Sequence, residues 1–249
     1  MTQQHTLALA MSPDLFAEEV LGLELDLKQR ELLEAEANKV ILNCARQWGK
    51  STMAAAKAVH RAVFRPGSLT LVISPGARQS AELVFKVREL SARAGERVKG
   101  DGENAASAVY RNGSRVVGLP SNEDTTRGFS RASLLIVDEA ARVKDSYYHS
   151  MVATLSSGLG DLWLMSTPNG RKGFFWKEWR KGEGWLRVQA MAEECPRTSK
   201  AFLADQRRSM TEEMYRQEYE CDFLDDDEAV FKLDDIHASV TRRVDDLRV

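Results

Sequence analysis

Short apolar runs alternate along the chain with segments whose apolar residues recur every three or four positions. The runs at 40–43 (Val-Ile-Leu-Asn), 69–73 (Leu-Thr-Leu-Val-Ile), 134–137 (Leu-Leu-Ile-Val) and 161–165 (Asp-Leu-Trp-Leu-Met) are too short for helices. They are continuous rather than alternating, which predicts strands buried on both faces. Residues 115–119 predict another strand, and 187–190 one more. Helical spacing predicts helices at about 28–37, 50–64 and 79–94, and a charged helical segment at 199–221. An opening helix at 13–21 is expected to start at Ser12 as cap, with Pro13 in its first position. The Gly- and charge-rich stretch 95–113 predicts short antiparallel strands. Buried strands alternating with helices argue for a mostly parallel α/β sheet joined by crossovers.

Composition narrows the class. At 249 residues the chain can bury a sizeable core without disulfides, and 43% hydrophobic residues argue against wholesale disorder. The 35 basic residues against 37 acidic exclude a polybasic protein but leave room for a local basic groove. No apolar stretch reaches 18 residues, so no membrane span is expected, and the first residues do not read as a secretory signal. Cys44, Cys195 and Cys221 are far apart, which predicts a reducing compartment and neither a disulfide frame nor a zinc site.

The sharpest motif is Cys44-Ala45-Arg46-Gln47-Trp48-Gly49-Lys50-Ser51, between the first strand and an Ala-rich helix. It matches a phosphate-cradling loop, with Cys44 where the first glycine usually stands. Loop and helix N–H groups can wrap a polyphosphate; Lys50 adds a point charge, and Ser51 a hydroxyl for Mg²⁺. Leu134 to Val137 then delivers Asp138 and Glu139 to a strand end, where ligands of open α/β sheets bind. There Asp138 would hold Mg²⁺ through water, and Glu139 would orient and deprotonate an attacking water. Ser166, Thr167 and Pro168 end the next run and could couple hydrolysis to movement; an ordinary Pro-Asn-Gly turn is the bland alternative. Arg127, in a polar loop, and Arg46 are candidates to reach a transferring phosphate, and Gln29 could read an adenine edge.

Together these residues resemble the ATPase domain of the viral (bacteriophage-type) terminase large subunit. The carrying motifs are Ala45 through Thr52, the Val-Asp-Glu-Ala run at 137–140, the Ser-Thr-Pro-Asn-Gly run at 166–170, and Leu27-Lys28-Gln29. The resemblance implies a RecA-like P-loop ATPase with an additional strand between the phosphate-loop and acidic strands, and a small helical lid. Its expected organisation is an N-terminal helical arm at 1–26, an ATPase core at 27–195, a lid at 196–224 and an acidic tail at 225–249. It implies ATP and Mg²⁺ as cofactors, Arg127 as an arginine finger from the same or a neighbouring subunit, and a homo-oligomeric ring acting on double-stranded DNA. A procapsid portal, a small terminase subunit and the host cytoplasm complete the expected setting. Family members usually continue into an RNase H-like nuclease domain; this chain is expected to lack one and to cleave nothing. The run Asp225-Asp226-Asp227-Glu228 is no substitute, because side chains alternate along a strand and four adjacent acids cannot converge on one metal.

Where DNA would touch is less legible. Residues 171–187 interleave basic and aromatic side chains, but Phe175, Trp176 and Trp179 have the spacing of a buried helix face. Arg88, Arg93, Arg97 and Lys99 form a second basic group. Two rival functions share parts of the pattern. A helicase would need a second motor domain for its arginine fingers, for which 249 residues leave no room. An assembly module would bind ATP and turn over negligibly.

Overall fold

The structure, a computed structural model, describes residues 2–104, 106–121, 128–155 and 160–224. Its centre is a seven-stranded sheet ordered β3-β4-β2-β5-β6-β1-β7. The strands are β1 (Lys39–Cys44), β2 (Leu69–Ser74), β3 (Ala106–Val109), β4 (Arg115–Pro120), β5 (Leu134–Asp138), β6 (Asp161–Ser166) and β7 (Leu186–Ala190). All neighbours run parallel except β3 against β4. The central strands are buried along nearly their whole length, which is why they read as continuous apolar runs. β6 lies between the phosphate-loop strand β1 and the acidic strand β5, the additional strand that the resemblance implied.

The helices are α1 (Gln3–Met11), α2 (Pro13–Glu19), α3 (Leu27–Glu34), α4 (Lys50–Phe64), α5 (Ala77–Arg93), α6 (Asp145–Val152), α7 (Gly173–Lys181), α8 (Lys200–Ser209) and α9 (Glu212–Tyr219). α4 presents Ala54, Ala55, Ala58, Val59 and Ala62 to the core. Small side chains let it lie close to the sheet and to α5. At its far end Arg61 is buried, bonding the carbonyl of Ser133 and pairing with Asp161, so α4 is tied to the starts of β5 and β6.

Several boundaries differ from expectation. α3 stops at Glu34 because Ala35 is already extended, and α5 begins two residues early, at Ala77. Ser12 does not cap α2 through its side chain; its hydroxyl donates to Asp14 instead, at 2.6 Å. α1 and α6 were not expected. α1 buries only Leu9 fully and so lacks an apolar stripe. The charged segment 199–221 is two helices, with Ser199 and Thr211 accepting N–H bonds as their caps. The acidic run 225–228 and Arg127 lie outside the described residues.

The N-terminal helices dock on α4 through an aromatic cluster. His60 stands 5.5 Å from Phe16 and 4.9 Å from Phe64, and its Nε2 meets the Leu9 carbonyl at 3.0 Å. Burial pushes His60 down to about 4 from its ordinary 6.5. Below pH 6.5 the unfolded chain therefore takes up a proton that the folded one refuses until about pH 4. Stability is expected to fall across that window by roughly 1–3 kcal/mol. Denaturant melts at pH 7 and pH 5 check this, and His60→Phe should flatten the difference.

Candidate active site

The loop after β1 is shaped by two left-handed residues, Gln47 at φ 66° and Gly49 at φ 108°. Cys44 simply ends the strand, so its place in the first-glycine position costs nothing in backbone strain. Gly49 is required for a second reason: a Cβ there would stand 2.9 Å from Gln29 Nε2. That amide donates to the Trp48 carbonyl at 2.7 Å, and Arg197 donates to the same oxygen at 2.6 Å. The Trp48 ring is buried in the core below. The loop is thus clamped from α3 beneath and from the segment leading into α8. Lys50, also buried, donates from Nζ to the Cys44 and Ala45 carbonyls at 2.6 and 3.0 Å. Ala45 itself is fully buried and bonds Ala190 of β7 through its N–H, at 2.8 Å.

Two strands over, β5 carries Asp138 to the same sheet edge, and Glu139 follows in the left-handed region at φ 51°. The Asp138 carboxylate accepts the Glu139 N–H at 3.1 Å. Burial, and then the adjacent Glu139 charge, push Asp138 up to about 6 from an ordinary 3.8. Between loop and acids lies a cleft of about 490 Å³. Gln29, Arg46, Gln47, Gly49, Lys50, Ser51 and Thr52 line it from the loop side, and Asp138 and Glu139 from the other.

Not every expected residue faces the cleft. Ser166, Thr167 and Pro168 are buried at the end of β6, behind the lining. Gln29 reaches the cleft, but its amide is engaged within the protein. Besides the Trp48 bond, its Oε1 accepts the Asp26 N–H in a reciprocal cap of α3. Arg46 turns outward to α9, its Nε 2.6 Å from Glu218. Four contributors were missed. Lys86 of α5 donates to Thr52 at 3.3 Å and lines the cleft. Arg197 lines it as well. Arg142 pairs with Glu139 at 2.7 Å, and Glu218 sits 3.8 Å from Arg142. Only Arg142 left a local trace, since an arginine three residues after a glutamate meets it on a helical turn.

The arrangement suits a polyphosphate with a hard cation. Among the described residues no cluster of three or more His, Cys, Asp or Glu side chains forms a metal cage. Mg²⁺ needs none: it takes one or two protein oxygens and completes its shell with phosphates and water. The Ser51 hydroxyl and the Asp138 carboxylate, which both line the cleft, would supply such a pair. The three cysteines are buried and free, and burial pushes Cys44 and Cys221 up to about 12, away from the reactive thiolate form.

The aromatic stripe of α7 belongs to the core. Phe174 and Phe175 are buried, while Trp176 and Trp179 pack around Phe223. Basic residues of this stretch are partly committed too: Lys177 of α7 pairs with Asp145 at 3.0 Å, and Arg187 of β7 donates to the Trp179 carbonyl. Arg88 likewise donates to the Ser107 carbonyl.

A glycine-lysine loop opening a helix, an acidic strand end and a strand between them define a P-loop ATPase of the additional-strand class. A family profile described as terminase large subunit, T4likevirus-type, N-terminal, matches residues 41–238. The chain belongs to that family, the large terminase subunits whose ATPase drives DNA packaging. No curated protein matches it. Among solved structures, the large terminase ATPase domain of Thermus phage P74-26 is similar at 22% identity. That match has a TM-score of 0.72 and covers 83% of this chain and 97% of that one. The large terminase of another thermophilic bacteriophage, in complex with ADP, is 14% identical with a TM-score of 0.68. Here 80% of this chain is covered but 54% of that protein, so this chain spans about half of it. The large terminase of bacteriophage HK97 is 18% identical, with a TM-score of 0.55, covering 67% of this chain and 38% of that one. At these identities the likeness is one of fold. Among the described residues no helix is long and apolar enough to cross a membrane.

Proposed function

We propose that this chain hydrolyses ATP with Mg²⁺ and that the hydrolysis moves double-stranded DNA through a ring of identical subunits. One observation carries the reading: Lys50 and Ser51, at the start of the helix after β1, and Asp138 and Glu139, at the end of β5, line one cleft at the C-terminal edge of the parallel sheet, with β6 between the two strands. The β- and γ-phosphates would sit on the loop amides at the α4 N-terminus, where the helix dipole favours negative charge. Lys50 would exchange its two carbonyl partners for phosphate oxygens. Ser51 and Asp138 would hold Mg²⁺, which neutralises developing phosphate charge. Glu139 would orient water in line with the γ-phosphate and take its proton. The base would lie near Gln29, Leu23 and Arg197, which also line the cleft. Gln29 keeps a spare amide hydrogen and a carbonyl lone pair there for an adenine edge.

Arg127, at the family's finger position, is proposed to stabilise the transferring phosphoryl group of a neighbouring subunit, with portal and small subunit as further partners in the host cytoplasm. Steady-state phosphate release tests the reading. It should require Mg²⁺, stop with EDTA and rise with DNA. Lys50→Ala and Arg127→Ala subunits, each inactive alone, should recover activity when mixed into one ring. A mixed ring that forms and stays inactive removes the finger from the neighbour's site.

A further inference from the structure

We propose that Arg142 is a positioning residue for Glu139, and that it sets the base according to where the lid helix α9 stands. The inference rests on Glu139 being the hydrolytic base. Arg142 closes the short helical turn that Glu139 opens, which brings the two side chains to one face. Its Nη1 donates to Glu139 Oε2 at 2.7 Å and reaches Thr167 Oγ1 at 3.5 Å. Its Nη2 stands 3.8 Å from Glu218 Oε1, while Glu218 Oε2 accepts from Arg46 at 2.6 Å. Four charges of alternating sign, Glu139, Arg142, Glu218 and Arg46, therefore run from the acidic strand end through the lid to the phosphate loop.

A glutamate has three side-chain torsions and activates water only when they are fixed to within about 0.5 Å. The backbone fixes the root of Glu139 by its left-handed turn but leaves the carboxylate free. The planar, permanently charged guanidinium supplies the missing restraint, because its fork fixes direction as well as distance. That fork is divided. One nitrogen holds the base, and the other is within reach of a lid carboxylate without yet bonding it. A small approach of α9 to the sheet would bring Glu218 to hydrogen-bonding distance and turn the guanidinium; a small retreat would leave the fork to Glu139. Either motion re-aims the base. Thr167, on the same fork, extends this link to the end of β6. A merely structural surface pair at this spacing contributes little, and its loss would leave turnover unchanged.

Kinetics of the full chain separate these roles. Arg142→Gln should lower kcat by about 10–100-fold, the scale of a misplaced catalytic group, with KM for ATP and the melting midpoint little changed. Glu218→Gln should lower kcat several-fold on its own and have no further effect in the Arg142→Gln background. That non-additivity is specific, because any effect of Glu218 through Arg46 would persist in the double variant. The proposal is overturned if Arg142→Gln turns over at the parent rate, if its kcat loss is matched by loss of binding or folding, or if the two effects multiply independently. Glu139→Gln is measured alongside. Should it hydrolyse ATP normally, the assignment of the base fails, and not merely its positioning.

Discussion

Glu139→Gln is expected to bind Mg²⁺-ATP as tightly as the parent and to hydrolyse it about 100- to 10,000-fold more slowly. The amide keeps the shape and can still orient a water, but it cannot accept a proton. Glu139 lines the cleft beside Asp138 without bonding any loop residue, so the phosphate cradle of Gln47 through Thr52 is untouched by the change. The Arg142 pairing is weakened but not lost, because the glutamine carbonyl still accepts from Nη1. Equilibrium binding of a fluorescent ATP analogue, set against single-turnover phosphate release, checks both halves. Parent-like release would remove Glu139 from the chemistry.

Asp138→Asn should do two things at once. Hydrolysis should fall at least 100-fold, because the side chain proposed to hold Mg²⁺ together with Ser51 would no longer be a carboxylate. The nucleotide-free, metal-free protein should nevertheless become more stable at pH 7. There the parent keeps a partly desolvated carboxylate ionised beside Glu139, although the site favours its protonated form up to about pH 6. That penalty is fully present above pH 6, shrinks as pH falls, and is gone below the ordinary 3.8. Asparagine carries no charge and can still accept the Glu139 N–H. The gain is roughly 1–3 kcal/mol at pH 7 and should narrow by pH 5. Thermal melts at the two pH values decide it; an Asn variant less stable than the parent at pH 7 would contradict the electrostatic account.

The parallel core was legible because its strands are buried on both faces, so β1, β2, β5 and β6 stand out as apolar runs from composition alone. The phosphate loop and acidic pair were legible because each occupies a few consecutive residues. What escaped notice was long-range or weakly patterned. Lys86, Arg197 and Glu218 reach the site from elements far along the chain, and nothing near them in sequence distinguishes them from other surface charges. α1 escaped because a helix that fully buries one leucine has no periodicity to detect. Gln29 was found but read too narrowly. Its side chain also caps its own helix and clamps the loop, roles that nothing in its local sequence announces.

The segment after α9 returns to the core and is fastened there. Asn43 of β1 donates to the Cys221 carbonyl at 2.8 Å, and the Cys221 thiol meets Ala190 of β7. Arg171 binds the carbonyls of Phe223 and Leu224, and Phe223 is wedged against Trp176 and Trp179. At the other end, the segment leading into α8 is held to the Trp48 carbonyl by Arg197. Helices α8 and α9 are therefore like a drawbridge with both feet bolted to the same bank: any movement they made against the sheet would be a tilt between two fixed ends. A tilt of that kind would be passed on by the outer side chains of the two helices, not by the segments at their feet.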